Sequence, residues 1–251
     1  RWMLQRTAEV MDEITESFEN YEFFRFFQLL QNFCVTDLSN FYLDIAKDRL
    51  YVSAPSDQRR RSCQTVMALI IERLAGLIAP VLCHMAEDIW QNLPYPVEET
   101  SVFQRGWPTA PDSWRDASVQ EPMQQLRELR ASVNKVLEDC RSRQELGASL
   151  EASVRLEAHS PSLQSALHWL NENGQPEVDG LRDWLLVSQL QIGGEPWAEL
   201  LANHDDSVAL IEVARARGTK CERCWHYESD VGQHADHPHL CGRCVSVLER
   251  L

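Results

Sequence analysis

Residues 66–89 read Val-Met-Ala-Leu-Ile-Ile-Glu-Arg-Leu-Ala-Gly-Leu-Ile-Ala-Pro-Val-Leu-Cys-His-Met-Ala-Glu-Asp-Ile, and their pattern decides the architecture of the first part of the chain. Val66, Ile70, Leu74 and Leu77 recur at three- and four-residue steps, the period of one buried helix face. The run stops near Pro80, which cannot continue a helix without losing a hydrogen bond. That proline is placed instead to open a second helix carrying Val81, His84, Met85, Asp88 and Ile89. Upstream the same period recurs twice, in Leu4, Ala8, Met11, Ile14 and Phe18, and in Phe23, Phe27, Leu30, Cys34, Leu38, Phe41 and Ile45. Four helices with short joints predict an antiparallel bundle over 1–93, within a first domain of 1–106.

Downstream the pattern changes. Residues 94–118 are rich in Pro and Trp (Pro94, Pro96, Trp107, Pro108, Pro111, Trp114) and read as an extended, packed connector. A helix from Pro122 to about Arg143 places Leu126, Leu129, Val133, Val136 and Cys140 on one face. Leu150, Ala152, Val154 and Leu156 then alternate with Glu151, Ser153 and Arg155, the period of a half-buried strand. Ser160–Pro161 is a cap and first turn for a helix through Leu170, and 185–192 and 208–214 are further strands. The expected fold class is therefore mainly α: an antiparallel bundle over 1–106, a connector and small α+β junction module over 107–214, and a knuckle over 215–251.

That knuckle carries the sharpest motif, Cys221-Glu-Arg-Cys224, sixteen residues, then Cys241-Gly-Arg-Cys244. Two residues between cysteines form a tight turn that presents both thiolates to one tetrahedral ion, and two such turns complete its shell. One structural zinc on Cys221, Cys224, Cys241 and Cys244 is the expectation; two redox or free-thiol pairs are the competing reading. Four cysteines fill the shell, so His226, His234, His237 and His239 read as surface or outer groups. A closed tetrathiolate leaves no position for water or substrate, so the site is structural, and the tail is expected to be unfolded without metal.

Cys34, Cys63, Cys83 and Cys140 are scattered at wide spacings, which together with a metal cluster fits a reducing cytoplasm rather than a disulfide-stapled chain. No stretch approaches the roughly 20 apolar residues of a membrane span, so the chain reads as soluble, with no membrane partner. It opens on Arg1 rather than Met, which predicts a fragment or a processed product.

Net charge is −14, from 24 Lys+Arg against 38 Asp+Glu, which taken whole argues against nucleic acid. The distribution is uneven. Arg215, Arg217, Lys220, Arg223 and Arg243 flank the knuckle against Glu212 and Glu222, with Trp225 and Tyr227 beside them. Such a knuckle can meet RNA by phosphate contact and stacking; alternatively, the arginines balance the −2 charge of a zinc tetrathiolate and Trp225 packs the turn. In the bundle, Lys47, Arg49, Arg59, Arg60 and Arg61 form a dense basic patch. It reads as an RNA face or as helix-end charges.

Several of these stretches resemble one family. Gly218-Thr-Lys-Cys-Glu-Arg-Cys-Trp-His-Tyr227 with Cys241-Gly-Arg-Cys-Val245 resembles the C-terminal zinc motif of bacterial-type isoleucyl-tRNA synthetases. Asn32-Phe-Cys34, Phe41-Tyr-Leu-Asp-Ile-Ala-Lys-Asp-Arg-Leu-Tyr51, Arg60-Arg-Ser-Cys-Gln-Thr65, Ala79-Pro80 and Ala86-Glu-Asp-Ile-Trp90 resemble the anticodon-binding domain of the same enzymes, and Gly147-Ala-Ser-Leu-Glu-Ala152 the junction that follows. The resemblance implies part of a class I ligase that joins isoleucine to its tRNA with ATP. The family's His-x-Gly-His-like and Lys-Met-Ser-Lys-Ser-like motifs are not in this sequence, nor is its editing domain. The resemblance therefore implies a chain that is inert alone, with no catalytic residue, and that uses ATP only through the parent enzyme.

As partners it implies the anticodon stem-loop of isoleucine tRNA and the remainder of the synthetase, with the chain itself monomeric and cytoplasmic. Lys47, Arg49, Arg59, Arg60, Arg61, Arg215, Arg217, Lys220, Arg223, Trp225 and Arg243 are the candidate RNA contacts. Two rivals stand beside it: a free-standing zinc-dependent protein-interaction module, and a formamidopyrimidine-type DNA glycosylase, which ends in a similar finger. The glycosylases are similar to each other in an N-terminal proline and a β-sandwich, where this chain has Arg1-Trp2 and helices.

Overall fold

In the computed structural model, which describes residues 1–173 and 180–250, the chain opens with helix α1 (Trp2–Glu19). Residues 174–179 of the expected junction module, and Leu251 of the knuckle, lie outside the described residues. The chain forms two compact units, Arg1–Leu50 with Pro55–Ala117, and Tyr51–Ala54 with Ser118–Leu251.

The first unit is helical. α1 buries Met3, Thr7, Val10, Ile14 and Ser17 together with Ala8 and Met11, while Leu4 and Phe18 are only partly covered. The buried hydroxyls are satisfied along the helix, Thr7 Oγ1 donating to Met3 O (2.7 Å) and Ser17 Oγ to Glu13 O (2.8 Å). α1 ends in a Schellman turn: the Glu22 N–H donates to Ser17 O (2.7 Å) and the Tyr21 N–H to Phe18 O (3.1 Å). Tyr21 sits at φ 58°, the left-handed conformation that favours glycine and costs any other residue about 1–2 kcal/mol.

α2 (Phe23–Asn32) runs into a π-helical stretch, Phe33–Leu43, and then into α3 (Asp44–Tyr51). The buried file is Phe26, Phe33, Asp37, Phe41 and Ile45; of the expected file Phe41 and Ile45 are buried and Leu30, Cys34 and Leu38 pack partly against the core, while Phe23 and Phe27 are exposed. Two apolar files lie side by side in this sequence, and the wider π turns keep residues four apart on the covered side. Asp37 is buried because Arg6 on α1 reaches it, Nε to Oδ2 3.0 Å.

α4 (Gln58–Ile78) begins at Asp57, whose carboxylate accepts the Arg59 N–H at 2.8 Å. It buries Ile70, Leu74 and Leu77, as the period of four predicts. Pro80 falls in the turn rather than at the first helical position, because α5 (Cys83–Gln91) starts three residues later. α5 accordingly turns Ala86 and Trp90 inward and leaves Met85 exposed. The Pro/Trp connector packs on this bundle. Trp90 Nε1 donates to Glu99 O (2.9 Å), Tyr95 OH to Ala68 O (3.0 Å), and Pro108 lies 3.1 Å from where a side chain on Gly76 would begin.

The second unit is α+β. α6 (Gln120–Ser142) buries Leu126, Leu129, Val133, Val136 and Cys140, the face read from the sequence. β1 (Ala152–Ala158), α7 (Pro161–Asn173), α8 (Leu181–Leu185), β2 (Gln189–Ile192), β3 (Ala202–Asp205) and β4 (Ala209–Arg215) follow. The sheet order is β2-β1-β4-β3, with β1 parallel to β2 and antiparallel to β4. α6 lies against α7 and against β3 and β4. β1 is not half-buried as its alternation suggests: Ser153 and Arg155 are covered too. Arg155, 2 % exposed, is held by Glu212 on β4 (Nη1–Oε2 2.9 Å) and by the Gly193 and Gly194 carbonyls. The strand expected over 185–192 starts only at Gln189, since 181–185 is helix and Leu186 is left-handed (φ 55°).

Tyr21→Gly relieves the left-handed strain and is expected to stabilise the helical unit by about 1 kcal/mol in urea unfolding. A lowered stability would mean that the edge contact of Tyr21 with Phe23, centroids 6.3 Å apart, outweighs the backbone.

Candidate metal centre and nucleic-acid face

The tail leaves the sheet under firm anchors. After β4, the Ala216 N–H donates to Glu151 O (2.7 Å), and the Gln189 side chain on β2 takes both polar groups of Arg217, its Oε1 accepting the N–H (3.0 Å) and its Nε2 donating to the C=O (2.8 Å). β5 (Thr219–Lys220) and β6 (Tyr227–Glu228) then form a two-stranded ribbon. Gly218 is required at its start: φ is +98°, and a Cβ there would meet Glu228 O at 2.5 Å. The Tyr227 N–H donates to Ser188 Oγ (2.8 Å), and Arg182 pairs with Glu228 (3.1 Å).

The ribbon's tip is the first knuckle, closed by Cys221 N–H to His226 O and Trp225 N–H to Cys221 O, both 2.9 Å. The second knuckle starts α9 (Gly242–Leu248), with Cys241 at the N-cap and Cys244 in the first turn. Asp230 fixes it by accepting the Gly242 N–H at 2.7 Å. The Glu222 N–H reaches His239 O (3.1 Å) and joins the two loops.

The four sulfurs of Cys221, Cys224, Cys241 and Cys244 lie within 4.8 Å of one another, and all four residues are buried. Cys224 and Cys241 Sγ are 3.7 Å apart. A tetrahedral zinc with Zn–S of about 2.3 Å places its sulfurs about 3.8 Å apart, whereas a disulfide needs about 2.05 Å. The donor set and spacing fit zinc and not a bridge, and the chain has one structural zinc. Among the described residues these cysteines are the one group of clustered metal-capable side chains, with no histidine among them. Buried His226 contributes its backbone, and His234 Nε2 lies 3.6 Å from Asp230 Oδ2. Val52 completes the apolar wall around the sulfurs with Val231 and Leu240, a contribution from far upstream that spacing rules cannot reveal.

Without a cation, four crowded thiols cannot all ionise. Hydrogen bonds from the Cys241 and Cys244 thiols hold Cys224 far below the usual thiol range. The charge on Cys224 in turn pushes Cys241 up to about 12 and raises Cys244 as well. Arg243 and Arg223 lie against Cys224 and Cys244 respectively and favour the thiolates.

The basic residues thus separate by position. Arg223 and Arg243 are half-buried at the sulfurs. Arg215, Arg217 and Lys220 are exposed. Trp225 does not pack the turn: it is 61 % exposed at φ 66°, with Lys220 Nζ 5.7 Å above its ring. In the helical unit, Lys47 is exposed and paired with Asp44 (2.9 Å), while Arg49, Arg59 and Arg60 are half-buried and engaged. Arg61 is exposed at the rim of a cleft of about 780 Å³, floored by Leu38, Ile70, Ile71 and Tyr95 and edged by Gln64 and Thr65. Most of its lining comes from one stretch of α4, Arg61 to Leu74, and Leu38, Leu43, Pro94 and Tyr95 complete it from elsewhere in the unit.

A four-cysteine centre with a closed shell keeps no open position for chemistry, so its own part in the α+β unit is structural. Residues 1–156 match the family described as the anticodon-binding domain of tRNA ligase, and residues 218–247 the zinc finger found in FPG and IleRS. The chain is 84% identical over its whole length to the isoleucine–tRNA ligase of Parasynechococcus marenigrum (strain WH8102). It is 77% identical to those of Prochlorococcus marinus (strain MIT 9313), over 99% of its length, and Synechococcus sp. (strain CC9311), over all of it. In each case it spans 26% of the relative's length. The chain belongs to the anticodon-binding domain family of the tRNA ligases. No helix among the described residues is long and apolar enough to cross a membrane.

Zinc needs deprotonated thiols, and Cys241 and Cys244 are raised in the metal-free cluster, so binding near pH 7 must expel protons. Zinc titration of metal-free chain is expected to release about two protons or more per ion, with affinity falling as pH is lowered, and to restore order worth about 10–16 kcal/mol of binding to the tail. Calorimetry in buffers of different ionisation enthalpy reads the release; its absence would contradict tetrathiolate binding.

Proposed function

We propose that this chain is the tRNA-gripping C-terminal part of an isoleucine–tRNA ligase. The anticodon-binding family match over 1–156, together with 84% identity across the whole chain, carries the reading. The parts are a bundle over 1–106, a connector and junction module over 107–214, and a zinc knuckle over 215–251 on Cys221, Cys224, Cys241 and Cys244. Bundle and knuckle hold the anticodon stem-loop of isoleucine tRNA, and the catalytic part of the ligase attaches isoleucine with ATP. The chain works in the cytoplasm as one copy within its ligase.

The contacts divide by chemistry. Exposed Arg215, Arg217 and Lys220, with Lys47 and Arg61, meet phosphates, which fix position and add salt dependence. The open face of Trp225 offers a stacking platform for an unpaired base of the loop, as single-stranded RNA recognition requires. Arg223 and Arg243 act one step back, steadying the thiolates that hold the turn. Arg49, Arg59 and Arg60 are engaged within the protein, so their part is to shape the basic face. A free-standing interaction module accounts less well for identity to ligases along the full length, and a DNA glycosylase does not account for the anticodon-binding match.

Titration of the zinc-loaded chain with isoleucine tRNA, and with a copy whose anticodon loop is altered, tests this reading. The native loop is expected to bind at least about tenfold tighter, equivalent to about 1.4 kcal/mol. Arg217→Ala or Lys220→Ala is expected to weaken both and to lower the log–log salt slope by about 0.7–0.9 each. Equal binding to both loops at every salt concentration would sink the anticodon reading.

A further inference from the structure

The corner between α1 and α2 presents a surface outside the basic residues proposed above to meet RNA. Phe18 is its hub, with ring centroids 5.1 Å from Trp107, 5.8 Å from Phe23 and 5.0 Å from Phe26. Tyr21 meets Phe23 at 6.3 Å, and Phe26 meets Phe27 at 5.0 Å, both continuing the cluster outward. Only Phe26 is buried. Tyr21 is 80% exposed and Phe24 77%, and Phe23, Phe27 and Trp107 are also open to solvent. A contiguous aromatic surface of this kind marks an interaction site.

Two further observations show that the surface is built rather than incidental. Tyr21 holds the left-handed position of the Schellman turn, where glycine serves the backbone better, and the ring it brings lies mostly outside the protein. The rim is acidic: Glu16, Glu19 and Glu22 are exposed around it, and Arg25 is bound to two of them, Nη2 to Glu16 at 3.2 Å and Nη1 to Glu22 at 3.0 Å. Carboxylates repel a phosphate backbone, so the occupant is protein with an apolar centre and a basic margin. Three quarters of each related ligase lies outside the span this chain matches, and on the ligase reading that remainder is a protein partner of ample size.

We infer that the Tyr21–Phe27 corner is the face on which the remainder of the ligase docks, an inference that rests on the ligase reading above. Tyr21 and Phe24 are the aromatic anchors, and Glu16, Glu19 and Glu22 pair with basic residues of the partner face.

Hydroxyl-radical footprinting of Tyr21 and Phe24 tests this, on the 251-residue chain and on the full-length ligase, before and after adding isoleucine tRNA. Both rings are expected to react quickly in the chain at every concentration, and at least about tenfold more slowly in the ligase without tRNA, as the dry centre of an interface requires. Tyr21→Gly in the ligase is expected to raise the reactivity of Phe24 while leaving the isolated chain no less stable. Equal rates in chain and ligase would overturn the docking face. Protection that grows with concentration of the chain alone would assign the surface to a second copy, and protection appearing only with tRNA would assign it to RNA; either overturns the inference. Aminoacylation by the same preparations separates the two claims: protection without charging of isoleucine tRNA sinks the ligase reading alone, and charging without protection sinks the docking face alone.

Discussion

Four sulfurs that must converge on one point organise the end of this chain. Among the described residues beyond β4, the tail holds only a ribbon of two two-residue strands and the seven-residue helix α9, too little to bury an apolar core of its own. Its start is pinned to the sheet through Gln189, Ser188 and Arg182. Past those anchors, position is set by the cluster: Cys221 and Cys224 fix the ribbon tip, and Cys241 and Cys244 fix the start of α9. Lys220 and Trp225 stand where they do because they flank Cys221 and Cys224. The strained φ of Trp225 follows from the turn that brings both thiols to one side.

The acidity of the chain and its proposed work on RNA are reconciled by where the charges sit. Glu212, which the sequence sets beside the knuckle's arginines, is buried against Arg155 in the sheet and contributes nothing to the face outside. Arg223 and Arg243 are turned to the sulfurs of Cys244 and Cys224. Arg215, Arg217 and Lys220 are then left as exposed cations, while three exposed glutamates crowd the α1–α2 corner instead. A net charge of −14 is a sum over regions of opposite sign.

What could be read from the sequence follows from how local the cause is. The cysteine spacing was legible because a tetrahedral shell dictates it within a few residues, and the face of α6 because one apolar stripe runs there alone. The face of α2 was not, since two apolar files compete and the choice between them is made by the π stretch and by Arg6 reaching Asp37, 31 residues away. The two-sided burial of β1 depends on Glu212, 57 residues from Arg155. Val52 at the sulfurs and the open rings of Tyr21 and Phe24 are equally non-local: an aromatic residue in a helical pattern reads as core until the structure shows it exposed. Pro80 lies three residues ahead of α5, within the ordinary latitude between a turn and a first helical position.

On the proposed function, the zinc-held turn sets the face of Trp225 against the anticodon loop. Fluorescence of isoleucine tRNA carrying 2-aminopurine in that loop reads this contact directly, because stacking on an indole quenches the probe. Quenching is expected on addition of the zinc-loaded chain, and it is lost with Trp225→Ala and lost again when the metal is chelated. Binding with unquenched fluorescence, or quenching that survives both changes, would contradict it.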